Sequence, residues 1–286
     1  MFALIGIVVV LGSVAGGYAM SHGKFPVLWQ PAELVVIMGA ALGSMLVANP
    51  LPNVIGVVKG VLGVIKGSPY NKNTYLDTLK ALADVFNYGR KSGLQKLEGD
   101  IENPKQSQLF AQHKIFVSNH HLLDFVCDSL RTSIAGGISH FEIDQSMEAD
   151  VEIMKHELEQ PVSALKETSD ALPGMGIVAA VLGVVITMGS LGGPPEEIGE
   201  HVAAALVGTF LGILFCYGIF GPLASNMQKI AEGEVEFMNA VRAGLGAYIR
   251  GAAPMLAVEM MRRSIPPHVR PSFKDMEAKL KGGGGK

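Results

Sequence analysis

The stretch ALPGMGIVAAVLGVVITMGSLGG, residues 171–193, runs for 23 residues without a charged side chain. Three further stretches share this character, at residues 1–20, 34–51 and 202–223. A helix of about 20 apolar residues crosses the roughly 30 Å hydrocarbon layer of a bilayer and satisfies its own backbone hydrogen bonds. The sequence therefore predicts four transmembrane helices.

The overall composition also indicates a membrane protein. Of the 286 residues, 49% are hydrophobic and 17% are charged, and the mean hydropathy is +0.33. The first stretch has no basic residue before its apolar run and no small-residue cleavage site after it, so we interpret it as a retained span. The net charge is −3, and Lys and Arg are not gathered into one basic stripe, so no nucleic-acid partner is expected.

Positive charge is distributed unevenly around the four spans. Of the 23 Lys and Arg residues, Lys24 alone lies between spans one and two, and none lies between spans three and four. Twelve lie between spans two and three, and ten follow span four. The positive-inside rule then places both chain termini and both large polar regions in the cytoplasm.

The predicted fold class is an all-α membrane protein, with four transmembrane helices and a helical cytoplasmic domain. We divide the chain into spans one and two (1–51), a cytoplasmic helical domain (52–170), spans three and four (171–226), and a C-terminal segment (227–286). The last segment is predicted to be a cytoplasmic helix that ends in a flexible, glycine-rich tail at 281–286.

Hydrophobic periodicity locates a helix early in the cytoplasmic domain. Apolar residues recur on one helix face from Leu79 to Phe86, by way of Leu82 and Ala83. The candidates for its N-cap are Asn73 and Thr74, and the helical region is expected to close before Pro104.

Two longer helices are predicted to continue the third and fourth spans. A three-four spacing from Met147 to Leu165, interrupted only by Pro161, leads into span three. A similar spacing carries a helix out of span four until Gly251 and Pro254 stop it. We expect these two stalks to pack together.

Small residues and missing charges characterise the spans. Asp, Glu, Lys, Arg and His are absent from their interiors, with Glu33 and His201 at the edges, so a carboxylate for ion transport has to come from another chain. Small residues four apart suit close helix contacts, either within the chain or between copies. These pairs are Gly12 with Gly16, Gly39 with Gly43, Ala179 with Gly183, and Gly208 with Gly212.

Spans three and four carry prolines and threonines at matching distances. Pro173 and Pro222 stand at the predicted cytoplasmic ends of the two antiparallel spans and are therefore expected at one depth. Each proline there frees a backbone carbonyl and makes a hinge. Thr187 lies about 21 Å from the Pro173 level and Thr209 about 20 Å from the Pro222 level, at 1.5 Å per residue. The two hydroxyls are expected at one depth, either lining a polar path or bonding back to their own helices.

Six blocks of sequence resemble the MotA family of flagellar motor stator subunits, within the wider MotA/TolQ/ExbB group, in order and spacing. The resemblance covers nearly the whole chain. The blocks are 16–20 (GGYAM), 30–34 (QPAEL), 97–104 (LEGDIENP), 170–183 (DALPGMGIVAAVLG), 207–214 (VGTFLGIL) and 270–273 (RPSF).

The resemblance implies a function and a set of residues. Pro173 and Pro222 match two prolines that are functionally important in the family, and Arg90 and Glu98 match charges that engage the rotor protein FliG. On a continuous helix Arg90 and Glu98 are about 80° apart, although Gly93 between them could bend it. Family members form a pentameric ring around two copies of MotB, whose membrane aspartate would supply the carboxylate that these spans lack.

The resemblance also bears on the ion and on the location. Sodium-driven relatives carry threonine at the position of Ala180, so alanine favours protons, and those relatives share the threonine that matches Thr209. The expected location is the bacterial inner membrane, in contact with the lipid bilayer and with both termini cytoplasmic. We expect no cofactor, no metal site and no enzymatic activity.

Two rival functions remain open at this point. An ExbB- or TolQ-like proton-channel subunit that energises the outer membrane resembles this chain around spans three and four, but such proteins have three spans. A passive membrane scaffold with a cytoplasmic docking domain is the other alternative.

Overall fold

The computed structural model describes residues 2–189, 192 and 194–282. The predicted glycine tail falls mostly on residues 283–286, and the end of predicted span three on residues 190–193, so these parts lie wholly or mainly outside the described residues. Within the described ranges, the regular elements are α1 (Phe2–Met20), α2 (Phe25–Leu28), α3 (Pro31–Ala48), α4 (Leu51–Lys66), α5 (Lys72–Ser92), α6 (Leu94–Glu102), α7 (Gln108–Ala111), α8 (Lys114–Ser118), α9 (His120–Ala135), α10 (His140–Gly189), α11 (Pro195–Phe215), a π-helical turn (Cys216–Phe220), α12 (Gly221–Ile249), α13 (Pro254–Ser264) and α14 (Phe273–Lys281).

Four helical segments are long and apolar enough to cross a membrane, which confirms the predicted number of spans. They are Phe2–Met20, Phe25–Ala48, a part of α10, and a part of Ile198–Ile249. The second span begins earlier than predicted. Pro31, which suits the first helical position because its missing N–H is not needed there, starts α3 ahead of the apolar run.

The chain divides into two compact units. Unit 1 comprises Met1–Gly67 and Glu157–Ile230, and unit 2 comprises Ser68–His156 and Ala231–Lys286. The long helices α10 and α12 contribute residues to both units.

The core of unit 1 joins the second span to the third and fourth. Ile37 and Ala41 of α3 pack with Leu172 and Ala179 of α10 and with Cys216 of the π-helical turn. A second apolar cluster lies among the ends of the spans and includes residues of α3, α4, α10 and α12. Unit 1 is therefore held together by the interlocking of span helices, with α4 added at one end.

The predicted long helices are confirmed. α10 runs for 50 residues and passes through both Pro161 and Pro173, so the expected interruption at Pro161 does not break the helix. α12 ends at Ile249, followed by Gly251 with a φ of +90° and by Pro254 at the start of α13. Only glycine adopts this left-handed backbone without strain, which explains the stop.

The two long helices pack against each other in unit 2, as predicted. Arg242 of α12 donates from Nη2 to Asp144 Oδ2 at 3.0 Å and to Glu148 Oε2 at 3.1 Å, and both carboxylates lie on α10. Deeper in this unit, Tyr75 of α5 contacts Phe237 of α12, with ring centroids 5.4 Å apart.

Helix α5 confirms the predicted apolar face, but it begins slightly earlier than expected. The face formed by Leu79, Leu82, Ala83 and Phe86 is buried. The N-cap is Asn71, whose side chain accepts hydrogen bonds from the backbone N–H groups two and three residues later. The residues proposed as caps, Asn73 and Thr74, are the donors of these bonds. α6 ends at Glu102, before Pro104, as predicted.

Candidate functional site

Helices α10 and α11 approach each other most closely at glycines. A Cβ atom at Gly212 would lie 2.6 Å from the carbonyl oxygen of Leu172 and 3.0 Å from the Cα of Gly176. A Cβ atom at Gly176 would lie 2.9 Å from the carbonyl oxygen of Gly208. Because backbone atoms meet backbone atoms here, only glycine fits at these positions without a shift of the helices.

Two of the four predicted pairs of small residues form this contact within the chain. Ala179 and Gly183 of α10 lie against Gly208 and Ala205 of α11. The other two pairs differ, because a Cβ atom at any of their four glycines would meet nothing within 4 Å among the described residues. These are the pairs Gly12 with Gly16 on α1 and Gly39 with Gly43 on α3.

The glycine contacts fix the register of the two helices, and the prediction that the two threonines share one depth is wrong. The Cα of Thr209 is 3.3 Å from where a Cβ of Gly176 would stand, so Thr209 is level with Gly176. Thr187 lies about 16 Å further along α10, at 1.5 Å per residue. The two depths follow from one another only if Pro173 and Pro222 are level. Backbone contacts between glycines, and not the prolines, set the alignment of α10 with α11.

Pro173 and Pro222 do not lie at one depth, contrary to the prediction, but the turns that precede them are joined through a single hydroxyl. Ser169, four residues before Pro173, donates from Oγ to the carbonyl oxygen of Cys216 at 3.2 Å. The same carbonyl accepts the N–H of Gly221, the residue before Pro222, in a π-helical bond. A proline has no N–H for the carbonyl four residues earlier, so Pro173 leaves the carbonyl of Ser169 without its intrahelical donor.

The candidate positions on α10 share one face. Pro173, Ala180 and Thr187 recur seven residues apart, which keeps them within about 40° of one another around the helix. Pro173 and Ala180 are partly exposed, as is Thr209 on α11. Thr187 is buried, and its hydroxyl donates to the carbonyl oxygen of Gly183 at 2.8 Å, so this bond stays within its own helix. The open part of the face runs from Pro173 to Ala180.

Glu33 is a site residue that the sequence placed only at the edge of a span. It stands in the first turn of α3, yet its side chain is 9% exposed and lies against the middle of α11. A Cβ atom at Gly208 would be 2.6 Å from Glu33 Oε2, and this oxygen has no hydrogen-bond partner among the described residues. The chain therefore has a carboxyl group of its own beside Gly208 of α11. A clue in the sequence is an acidic residue two positions after the proline that starts an apolar helix.

Arg90 and Glu98 both lie on the surface of unit 2, on different helices. Arg90 is exposed in the last turn of α5, and Glu98 is exposed on α6. Gly93, with a φ of +85°, ends α5 and serves as the N-cap of α6. The angle of about 80° expected on a continuous helix therefore does not apply, because the chain turns between the two charges.

Comparison with known proteins identifies the family of this chain. Residues 4–93 match the family described as "Motility protein A N-terminal", and residues 118–240 match the "MotA/TolQ/ExbB proton channel family". The chain is 40% identical to "Motility protein A" of Escherichia coli over 277 residues, which cover 97% of this chain and 94% of that protein. The chain belongs to the MotA/TolQ/ExbB proton channel family. Within this family, the match at 4–93 and the E. coli relative assign it to the motility protein A branch of flagellar stator subunits, which removes the ExbB- or TolQ-like alternative.

Solved structures of this family share the fold. The "Structure of C. jejuni MotAB" superposes with a TM-score of 0.75 at 19% identity and covers 95% of this chain and 98% of that chain. The "Structure of the flagellar MotAB stator complex from Bacillus subtilis" gives a TM-score of 0.72 at 21% identity, with 93% and 96% covered. The four-span helical architecture is therefore that of the motility protein A family.

Proposed function

We propose that this stator subunit conducts protons together with a MotB-type partner and converts the ion-motive force into torque on the flagellar rotor. The observation that carries the mechanism is the bond from Ser169 to Cys216, which couples the Pro173 turn to the helix that leads into Pro222. Each elementary charge that crosses releases about 2.3 kcal/mol per 100 mV. That amount is comparable to the cost of rearranging a few buried hydrogen bonds.

The proton path runs along the partly open face of α10 and the facing side of α11. Pro173 and Ala180 line it on α10, Thr209 and Pro222 line it on α11 and α12, and Thr187 stiffens α10 further along. Ala180 offers a methyl group where a sodium path would need an oxygen ligand, so the path is selective for protons. Protonation of the partner's aspartate changes the contacts near the two prolines, and the subunit steps.

The assembly is a ring of five copies around two MotB-type subunits, each of which brings one membrane aspartate. The protein lies in the bacterial inner membrane with both termini in the cytoplasm. Support for this orientation comes from the charge, because 22 of the 23 Lys and Arg residues lie in the regions assigned to the cytoplasm. The glycines on α1 and α3 where a Cβ atom would meet nothing within 4 Å among the described residues are suited to close contact with neighbouring subunits.

Arg90 and Glu98 transmit the motion to the rotor protein FliG. Both side chains are exposed, and they lie on either side of the turn at Gly93 along the chain. A pair of opposite charges on a short turn presents a patch that complementary charges on a rotor can grip and release, because exposed pairs are worth only about 0.2–1 kcal/mol.

The proposed proton conduction is tested by measuring proton uptake into cells. The chain is co-expressed with a MotB-type partner, and the acidification of the cytoplasm is followed. Pro173→Ala is expected to lower uptake at least tenfold. Pro161→Ala is the matched control, since it changes another proline inside α10 and should leave uptake near the wild-type level. Equal uptake in the two variants, or uptake that needs no partner, contradicts the proposed mechanism.

The rotor contact is tested by reversing charges. Arg90→Glu combined with Glu98→Lys is expected to reduce swimming speed while proton uptake is kept. Lys105→Glu changes another exposed charge of unit 2 and is the control. Cells that carry it should swim at the normal speed. Loss of proton uptake in the double variant would instead assign these residues a structural role.

A further inference from the structure

Helix α4 lies at the ends of the transmembrane helices and not in a separate domain. Its Val57 and Val64 are buried in one cluster with Ala3 near the start of α1, Met45 near the end of α3, and Ala224 just after Pro222. Ala3, Met45 and Ala224 all mark the cytoplasmic ends of their spans under the orientation proposed above. Only Asn49 and Pro50 separate α4 from α3. α4 is therefore at the boundary between the hydrocarbon layer and water.

The buried side of α4 is anchored to this boundary by close contacts. A Cβ atom at Gly56 would lie 3.0 Å from Cβ of Pro161 on α10, and Gly60 is in direct contact with Met227 on α12. Asn53 donates from Nδ2 to Gln160 Oε1 at 3.2 Å on the same side. The orientation of the helix about its own axis is thereby fixed.

The opposite side of α4 presents a narrow apolar stripe that the described part of the chain leaves exposed. Four aliphatic side chains at positions i, i+4, i+7 and i+11 fall within about 60° around the helix. Their exposures are 66% for Leu51, 46% for Ile55, 58% for Val58 and 54% for Leu62. Such a contiguous apolar patch is unfavourable in water and marks an interaction surface.

The charges of α4 favour one kind of partner. Its 16 residues include Lys59 and Lys66 and no acidic residue. Both lysines are exposed and stand at one edge of the apolar stripe. An apolar face bordered by lysines on a helix at the membrane boundary is the pattern of interfacial helices that bind anionic lipids.

We propose that α4 is a lipid-binding element that docks on the cytoplasmic leaflet. Leu51, Ile55, Val58 and Leu62 insert among the acyl chains, while Lys59 and Lys66 pair with anionic phospholipid headgroups. The docked helix fixes the cytoplasmic ends of the spans, next to the proline hinges, against the bilayer. The choice of leaflet rests on the proposed orientation, whereas the lipid contact itself does not depend on ion transport.

Quenching by brominated lipid tests the insertion. The chain has a single tryptophan, Trp29, which is changed to Phe, and a new tryptophan is placed at Leu62. The full chain, co-purified with its partner, is reconstituted in nanodiscs that contain lipid brominated near the headgroup end of the acyl chain. Strong quenching of Leu62→Trp is expected. Ile153→Trp, an exposed aliphatic position of unit 2, is the control and should not be quenched.

A second copy of the chain is the competing occupant of the stripe. In that case Leu62→Trp is unquenched by brominated lipid, and Leu62→Cys forms crosslinks between subunits instead. Either result overturns the proposal. Neither bears on proton conduction, so the proposed stator function would stand.

The headgroup preference is tested with nanodiscs of phosphatidylcholine, with and without phosphatidylglycerol. Retention of phosphatidylglycerol by the purified protein is measured by native mass spectrometry. Lys59→Glu with Lys66→Glu is expected to lower the retention, by roughly fivefold for each lysine lost. The control, Lys96→Glu with Lys105→Glu, has the same charge change on unit 2 and should retain the lipid. Equal retention in the two variants contradicts the assignment of the lysines.

Discussion

The hydroxyl of Ser169 donates a hydrogen bond to the carbonyl oxygen of Cys216, across the contact between the third and fourth spans. Both residues are buried, with Ser169 1% exposed. The donor belongs to the turn that ends at Pro173, and the acceptor belongs to the π-helical turn that ends before Pro222. π-Helical turns within α-helices are frequently found at functional sites. In this turn the carbonyl of Cys216 accepts hydrogen bonds from Ser169, four residues before Pro173, and from Gly221, the residue before Pro222.

Ser169→Ala is expected to weaken the coupling between the proline sites. A buried hydrogen bond contributes about 0.5–1.5 kcal/mol, so a balance between two helix arrangements that depends on it would shift by roughly two- to twelvefold. The rotation speed of tethered cells, on which the motor works under high load, should fall. Thr168→Ala is the control, because that neighbouring hydroxyl donates within α10 to Ala164 at 2.7 Å. A variant at Ser169 that turns as fast as the wild type under all loads would refute the coupling.

Gly212→Ala is expected to disrupt the packing of α10 against α11. The new Cβ would stand 2.6 Å from a backbone oxygen and 3.0 Å from a backbone Cα, and backbone atoms cannot turn aside as side chains do. Overpacking of this kind costs about 1–3 kcal/mol or more. The thermal unfolding midpoint of the purified protein should fall. In contrast, Gly174→Ala on α10 meets nothing within 4 Å and should leave the midpoint unchanged or raise it, since alanine favours the helix.

Glu33→Met is expected to stabilise the chain. The buried Oε2 of Glu33 has no hydrogen-bond partner among residues 2–189, 192 and 194–282, and a buried unpaired polar group costs about 1–3 kcal/mol. Methionine of similar length removes this cost and fills the same space beside Gly208. The measurement is the unfolding midpoint of the chain purified without its partner. A lower midpoint would mean that Glu33 has a stabilising partner that this chain does not supply alone.

Some features of this fold are local and could be predicted from the sequence. Spans follow from runs without charge, and the stop at Gly251 follows from glycine's left-handed backbone. The depth of Thr187 relative to Thr209 could not be predicted, because it depends on which glycines of two helices meet. The burial of Glu33 could not be predicted either, because it depends on the contact of α3 with Gly208 of α11 and not on the local sequence.

Two elements were missed for reasons of composition and chemistry. α4 is rich in valine and glycine, which are weak helix formers, and tertiary packing overrides that preference. The π-helical turn before Pro222 has no pattern of its own in the sequence. It inserts an extra residue into the turn, so a count at 1.5 Å per residue overestimates the distance from Thr209 to Pro222.

His113 of unit 2 is expected to make the stability of this unit depend on pH. Burial lowers the pKa of His113 from its usual 6.5, and Lys80 adds to the lowering, while Asp84 and Asp77 oppose it. Nε2 of His113 lies 3.3 Å from Asp84 Oδ2 but makes no hydrogen bond with it. The lowering of the pKa by burial is therefore larger than the opposing effect of the two carboxylates.

Because the folded pKa of His113 is below the unfolded one, the unfolded state binds more protons, and stability falls as the pH drops below about 6.5. His113→Gln should flatten the decline of the thermal unfolding midpoint between pH 7 and pH 5, measured by circular dichroism in detergent. His268→Gln removes an exposed histidine of the same unit and serves as the control. A decline that is as steep in His113→Gln as in the wild type would assign the pH dependence to another group.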